Sequence, residues 1–469
     1  MTLLLQALPL IALVVLLGTG RAGPVLACAV ALALTLPAAL LAMPTDATTL
    51  PWLAGFTHKA AAEGLWLAAI PVGIICGGLV FHDATTRPGQ DAAAPGTNTP
   101  DTLFTGAFLL GGFTETVTGF GVGAVFALAA FRRVGITGAP AAAIALFSQL
   151  LIPWGGLGPG TAIGAALAGV PAQELASRNA IILAIELPLL LPLFWHLCTI
   201  AGHRVPPAQK RAQLLWLLAE GALLVGAHHL VAWEVCGLLA TGIVLAVKLL
   251  HAAPPRGRHG WRAVLATAFP YLLLATTLLA SRLWRGAPAI APLDGMPALP
   301  LNHAVVALWL VALALAIRKG DPIAVITAAL RRGRRPAAAL LMFVLFSRVL
   351  ANAGIPTALA GALASVFGTA APFAAPLLAG IAGFFAGSNV GSNSAMMPLQ
   401  AELGRVAGLP AVTLPAIQNG TLFLLLSPQV CAIASGLAGG NATPSRIWQL
   451  AWPIFLIGIA VGLAAIAWG

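Results

Sequence analysis

The sequence is poor in charge, and this scarcity excludes most soluble folds. Only 8% of its 469 residues are Asp, Glu, Lys or Arg, whereas soluble domains carry about 25%. A chain with 59% hydrophobic residues and so few charges cannot cover a surface that faces water on all sides. The composition therefore favours a protein that is embedded in a membrane.

Acidic residues and cysteines are also scarce. The chain has 13 Asp and Glu residues and five scattered cysteines, with no Asp-rich diphosphate motif and no CxxC pair. Its nine histidines show no ligand spacing. We therefore expect no cofactor, no metal site and no enzymatic activity. A membrane-embedded enzyme that acts on a lipid-linked substrate remains the less favoured functional class.

Long apolar runs recur from one end of the chain to the other, and several approach the ~20 residues that a helix needs to cross a bilayer. No small-residue cleavage site follows the first run, so we do not expect a secretory signal peptide. We predict an all-α polytopic membrane protein. The runs are Leu3–Leu17, Pro24–Met43, Gly64–Phe81, Ile181–Leu197, Leu230–Leu250, Ala263–Ala280, Ala304–Ile317 and Ile447–Trp468.

The net charge of +11 is concentrated between apolar runs, within residues 204–211, 251–262 and 318–336. Short basic loops beside membrane spans lie on the cytoplasmic side. The positive charge therefore indicates topology, and we expect no nucleic-acid partner. We predict a multi-pass protein of a bacterial inner membrane, with both termini periplasmic and residues 44–62 in an external loop.

Two segments resemble each other and begin 271 residues apart, at Gly112 and Gly383. The first reads GFTETVTGFGVGAVFALAAFRRVGITGAPA and the second GFFAGSNVGSNSAMMPLQAELGRVAGLPA. The apolar runs pair in the same way, Gly64–Phe81 with 337–350 and Pro24–Met43 with the region of 302–317. The charge distribution predicts that these paired runs cross in opposite directions. This pattern predicts two inverted-topology repeats, as in many secondary transporters. We place the first repeat at 1–203, a linking pair of spans at 204–262 and the second repeat at 263–469.

Each repeat contains a polar break, near 114–123 and at 387–394, within an apolar setting. Irregular backbone survives at membrane depth only where protein or a water-lined cavity surrounds it. Ser and Asn are favoured helix N-caps, and a helix N-terminus attracts anions. We therefore predict re-entrant hairpins near 104–131 and 371–404. The alternative for the Ser-Asn segment is structural packing between helices.

At these segments the sequence resembles the lactate permease family of bacterial 2-hydroxy-monocarboxylate transporters. The resemblance spans roughly residues 104–196 and 371–436. In the first half it rests on Glu115 with Gly119-Phe120-Gly121, on Gly155-Gly156-Leu157-Gly158, and on Arg178 with Pro188. In the second half it rests on Gly387-Ser388-Asn389 with Ser392-Asn393, and on Ser427-Pro428-Gln429.

The resemblance implies broken helices, a scaffold with a moving transport domain, and a possible homodimer. The chain departs from the family pattern at three places. Leu424 stands where a Lys is common, Asn389 stands where an acidic residue is common, and Ser148-Gln149 replaces an Asn-Thr pair. The paired loss of a Lys and an acid fits the removal of an ion pair.

Glu115 is the candidate for proton coupling, because a carboxyl group at membrane depth favours its neutral form. The alternative is an ion pair with Arg132 or Arg133. Arg178 and Arg348 are candidate carboxylate ligands, and the alternative for both is an interfacial position. The other expected substrate-binding residues are Ser388, Asn389, Ser392, Asn393, Ser148, Gln149, Asn419 and Gln429. The hairpin glycines are Gly119, Gly121, Gly387 and Gly391.

These features predict a secondary active transporter that carries a small organic anion, lactate or glycolate, in symport with a proton. One titratable carboxyl would suffice for electroneutral entry of a monocarboxylate. A sodium-coupled carrier of di- or tricarboxylates or other organic anions is the alternative within the transporter class.

Overall fold

The computed structural model describes residues 2–19, 21–85, 99–119, 121–440 and 442–468. Nearly all regular structure in these residues is helical. Seven described segments are long and apolar enough to span a membrane, and two pairs of bent helices qualify when each pair is taken together. The protein is an all-α multi-pass membrane protein, as the composition predicts. The seven segments are Pro24–Ala42, Thr49–Thr85, Ala172–Ile200, Trp233–Ala252, Gly257–Ser281, Pro322–Asn352 and Ile355–Ala386.

The first half of the chain places two interrupted helices between long ones. A π-helical turn at Thr105–Leu110 leads into the first of them, and 3-10 turns at Leu146–Gln149 and Ile152–Leu157 interrupt the second. The α-helices are α1 (Thr2–Gly18), α2 (Pro24–Ala39), α3 (Thr49–Thr85), α4 (Thr99–Phe104), α5 (Gly111–Thr118), α6 (Val122–Arg133), α7 (Gly138–Ala145), α8 (Pro159–Ala168) and α9 (Ala172–Ile200).

Two helices then precede the second half, α10 (Pro207–Ala227) and α11 (Trp233–Ala252). A two-stranded antiparallel ribbon, β1 (Ala289–Ile290) with β2 (Leu299–Pro300), follows α12. The remaining helices are α12 (Gly257–Ser281), α13 (Ala304–Lys319), α14 (Pro322–Asn352), α15 (Ile355–Phe367), α16 (Ala375–Ala386), α17 (Asn389–Val406), α18 (Thr413–Asn419), α19 (Pro428–Ala438), α20 (Pro444–Ala451) and α21 (Pro453–Ala467).

The order of elements in one half parallels that in the other. Each half has a long helix, then two helices joined at a sharp break, then a short helix that 3-10 turns separate from its continuation. The sharp breaks join α5 to α6 and α16 to α17, and the interrupted pairs are α7–α8 and α18–α19. The domain boundaries and the opposite orientation of the halves stay predictions.

The basic cluster near residue 330 is helical, which corrects the prediction of an inter-helix loop. Pro322 stands at the first turn of α14, and the Asp321 side chain caps this helix by accepting a hydrogen bond from the Ala324 N–H at 2.9 Å. Arginine is a good helix former, so α14 continues through Arg331–Arg335 without a break. The same correction applies to 44–62, because α3 begins at Thr49.

The core connects the two halves. Phe108, Phe147 and Phe194 pack their rings together, with centroids of Phe108 and Phe147 5.0 Å apart. Residues of α19, α20 and α21 from the second half belong to the same buried cluster. A separate cluster joins α3 to α13 and α14. The interrupted helices therefore lie between helices of both halves, where irregular backbone is shielded from lipid.

Candidate functional site: a polar centre at the helix breaks

The first hairpin turns between α5 and α6, and Glu115 closes this turn. Gly119 and Gly121 have φ of 68° and 79°, a conformation that favours glycine. The Glu115 carboxyl group accepts hydrogen bonds from the N–H groups of Gly121 at 3.1 Å and Gly123 at 2.9 Å. It therefore lies at the N-terminus of α6, where the helix dipole attracts negative charge.

The partners of Glu115 are backbone groups rather than arginines. Its side chain is buried, and no ion pair joins it to Arg132 or Arg133 in the described part of the chain. Arg132 instead donates from Nε to the Leu128 carbonyl oxygen at 3.4 Å. The ion-pair alternative for Glu115 does not fit this arrangement. Phe120, the middle residue of the Gly-Phe-Gly signature, lies outside the described residues.

The second hairpin breaks at the Gly-Ser-Asn segment. Gly387 ends α16 with φ of 60°, and Ser388 caps α17 by accepting a hydrogen bond from the Gly391 N–H at 3.1 Å. A Cβ at Gly391 would lie 2.9 Å from the Phe343 ring, so glycine permits close packing here. The segment thus forms the start of a helix in a mostly buried setting.

The helices α8 and α17, which come from different halves, lie side by side with their N-termini together. A Cβ at Gly160 would lie 2.8 Å from Asn389 Cγ, and one at Gly164 would lie 2.9 Å from Asn393 Nδ2. The first turns of the two helices are therefore neighbours. The opening N–H groups of a helix lack intrahelical partners, so two partial positive charges are brought together at this point.

Asn419, at the end of α18, joins four other polar residues into what we call the polar centre. Its Nδ2 donates to Thr161 Oγ1 at 2.9 Å and to Asn179 Oδ1 at 2.7 Å. Its Oδ1 accepts from Asn393 Nδ2 at 2.7 Å and from Asn389 Nδ2 at 3.2 Å. All of these residues except Asn389 are at most 1% exposed. The polar centre thus links α8, α9, α17 and α18.

Two oxygens of the polar centre lack a partner among the described residues. Asn393 donates to the Gly160 carbonyl oxygen at 2.9 Å as well as to Asn419, but its Oδ1 accepts no hydrogen bond. The Oδ1 of Asn389 is also unpartnered. Buried acceptors without donors cost free energy. These two oxygens therefore favour a ligand that supplies a hydroxyl proton or a cation.

Ser392 faces a neighbouring set of amides. It accepts a hydrogen bond on Oγ from Gln418 Nε2 at 2.7 Å. Gln400 donates to the Ala375 carbonyl oxygen at 3.0 Å and to Gln418 Oε1 at 3.4 Å. These bonds tie α16, α17 and α18 together. Ser392 is thus held within the protein next to the polar centre rather than in direct contact with Asn419.

Three other expected residues lie at the breaks but make no hydrogen bond to the polar centre. Ser148 donates to the Ala145 carbonyl oxygen at 2.7 Å and packs against Gly111 of the first hairpin. Gln149 is buried beside it. Gln429 is exposed and adjoins the second hairpin, since a Cβ at Gly387 would lie 2.8 Å from its Oε1.

The two candidate arginines have different surroundings. Arg178 is half-buried on α9 and directly precedes Asn179 of the polar centre in the sequence. It forms no ion pair with any described residue. Arg348 binds Glu63 of α3 at 2.6 Å and Asn352 at 3.1 Å. Arg348 therefore joins α14 to α3, and the structure does not bring it to the polar centre.

Sequence reasoning missed Thr161 and Asn179. Thr161 is fully buried and also donates to the Pro153 carbonyl oxygen at 2.6 Å. Asn179 donates to the Ala416 carbonyl oxygen at 2.8 Å. The sequence signal for Thr161 is a hydroxyl residue directly after the Gly-Pro-Gly of the first-half break. The signal for Asn179 is an amide beside Arg178 within an apolar helix.

Comparisons with known proteins give a family match for part of the chain and a fold match for most of it. The second half matches the L-lactate permease family. The family model covers residues 258–467, which confirms the resemblance for that part of the chain, including the α16–α19 breaks. No curated protein sequence gives a significant match to the chain.

Among solved structures, the chain resembles the YdaH transporter of Alcanivorax borkumensis, which is described as having an unusual topology. The two share 16% identity with a TM-score of 0.53, over 95% of this chain and 98% of the other. At this identity the likeness shows a common fold. A protein that is described as a transporter therefore shares the fold of this chain.

Proposed function

We propose that this protein is a secondary active transporter that carries a small 2-hydroxy-monocarboxylate, such as lactate or glycolate, with protons across the bacterial inner membrane. The observation that carries the proposal is the polar centre, in which the N-termini of α8 and α17 meet beside two unpartnered asparagine oxygens. The match to the L-lactate permease family over residues 258–467 supports the substrate class.

The chemistry of a 2-hydroxy acid suits this site in two ways. Its carboxylate fits the paired helix N-termini, which attract anions, and Arg178, which precedes Asn179 in α9, stays the proposed cationic ligand. Its hydroxyl can donate to the free Oδ1 of Asn393 or Asn389. A carboxylate alone would leave both acceptors without a donor, so we expect the hydroxyl group to contribute to affinity.

Proton coupling is assigned to Glu115. Its carboxyl group binds two N–H groups at the start of α6, so protonation removes the charge that these groups stabilise. Protonation and the shape of the first hairpin are therefore coupled. A residue with these properties links proton binding to movement of a helix break, which is what a symporter requires.

A sodium-coupled carrier is the second candidate, and the free oxygens of Asn389 and Asn393 favour it, because sodium binds oxygen ligands. The deciding experiment is uptake of radiolabelled L-lactate into proteoliposomes under an imposed pH gradient without sodium, and under a sodium gradient without a pH difference. We expect the pH gradient alone to drive accumulation. Accumulation that requires sodium, or competition by di- and tricarboxylates but not by glycolate, would favour the second candidate.

A further inference from the structure

A second carboxyl group, that of Glu186, is buried near the middle of α9. It is 4% exposed, and the described part of the chain supplies neither a hydrogen bond nor an ion pair to either oxygen. A carboxylate without partners at membrane depth is costly, and such residues are rare unless they function. At this position the neutral, protonated form of Glu186 is therefore less costly than the carboxylate.

Glu186 borders a small cavity at the second interrupted helix. Gly420 and Thr421, which separate α18 from the 3-10 turn that follows it, line this cavity together with Pro376 of α16 and Gly462 of α21. Its volume of about 10 Å³ is close to what one water molecule requires. The carboxyl group thus adjoins a space that can admit water at a break in the fold.

The same face of α9 reaches the polar centre. Asn179 precedes Glu186 by seven residues, which is about two helical turns or ~10.5 Å along the axis. Asn179 binds Asn419 at 2.7 Å, and Asn419 directly precedes Gly420 of the cavity. One helix face therefore places an amide and a carboxyl group against the same break, and movement of that break changes the surroundings of both.

Of the described residues that line the cavity, none besides Glu186 is titratable. On α10, which packs against α9, the buried acid is Glu220, and no described residue forms a hydrogen bond with either of its oxygens. Gly221 contacts Ala184 of α9, and Ala184 is about 200° around the helix from Glu186. Glu220 thus belongs to the opposite side of α9, away from the break at Gly420.

We propose that Glu186 is a second proton-binding residue of the carrier, which holds a proton while α9 packs against the Gly420–Thr421 break and releases it when that break opens to water. The proposal rests on the proposed function. A monocarboxylate that enters with two protons carries one net positive charge. Transport then responds to the membrane potential as well as to the pH gradient.

The test is uptake of L-lactate into proteoliposomes in sodium-free buffer, driven by an inside-negative potassium diffusion potential with no pH difference. One net charge is driven by ~2.3 kcal/mol per 100 mV, which is a limiting accumulation of about 50-fold. We expect the unsubstituted carrier to accumulate lactate under these conditions. We expect Glu186→Gln, which retains one proton at Glu115, to lose this response and still accumulate lactate under a pH gradient.

Two variants serve as controls. Glu220→Gln removes an equally buried carboxyl group on the far side of α9 and should keep the response to potential. Glu186→Asp retains a titratable group and should restore it, which separates proton binding from packing.

Three outcomes would contradict these ideas, and they are distinguishable. If the unsubstituted carrier accumulates lactate under a pH gradient but not under a membrane potential, it transports no second proton. A Glu186→Gln carrier that still responds to the potential binds its second proton elsewhere. No accumulation by the unsubstituted carrier under either gradient contradicts the proposed function itself.

Discussion

Removal of the Asn393 side chain tests the polar centre directly. Asn393 is fully buried, its Nδ2 donates to Gly160 and Asn419, and its Oδ1 is free to meet a ligand. Without Asn393 the bound hydroxyl would lack its acceptor, and a buried donor that is left unpaired costs about 1–3 kcal/mol. Asn393→Ala should therefore raise the Kd for lactate by about fivefold to a hundredfold. Calorimetric titration of the purified carrier measures this change.

The structural cost of the same change is smaller. Two hydrogen bonds between helices are lost, and such bonds average about 0.6 kcal/mol each within membranes. We expect the protein to insert and remain monodisperse, with a modest decrease in thermal stability. Ser394→Ala is the matched control, because Ser394 is the next residue of α17, is equally buried and has an unpartnered hydroxyl. An unchanged Kd in folded Asn393→Ala protein would mean that these amides only pack helices.

Three further changes follow from the geometry. Glu115→Gln should bind lactate and exchange one anion for another. Under a pH gradient it retains only the proton at Glu186, so its limiting accumulation should fall from the square of the proton ratio to the first power, and unchanged accumulation would show that Glu115 only closes the hairpin. Gly164→Ala should lower lactate affinity about tenfold, because its Cβ would lie 2.9 Å from Asn393 Nδ2. Gly404→Ala is the control and should leave the affinity unchanged, because the nearest neighbour of its Cβ would be 3.6 Å away. Arg348→Met should lower the free energy of unfolding by about 2 kcal/mol, because Glu63 loses both hydrogen bonds from Arg348 and keeps only Lys59, 4.0 Å away, as a cation. Unchanged thermal stability would contradict this.

The sequence predicted the elements whose signals are local. Gly119 and Gly387 predict the hairpin turns because few other residues adopt a positive φ easily. Ser388 predicts the start of a helix because its hydroxyl group can cap the first turn. Apolar runs predict spans but not their ends, which is why the arginines of α14 were assigned to a loop at 318–336. Helix propensity continues through charged residues, and hydropathy does not show this.

Partnerships between distant segments were not predictable in the same way. Arg348 and Glu63 are separated by 285 positions, and no local pattern pairs them. The meeting of α8 with α17 depends on Gly160 and Gly164, which read as ordinary small residues until their neighbours are known. Asn419 was expected at the site, but its role as the residue that joins four others depends on how two halves of the chain pack.

The two hairpins use the same backbone device with different partners, and this difference gives the proposed mechanism its asymmetry. In the first hairpin the N-terminus of α6 binds Glu115, an anion that belongs to the protein and can take up a proton. In the second hairpin the N-terminus of α17 has only the neutral cap of Ser388, and it lies beside α8 and the free oxygens of Asn389 and Asn393. The first site keeps Glu115 whether or not its carboxyl group carries a proton. The second site can bind and release a separate anion. A carrier that couples proton binding to anion binding needs one site of each kind.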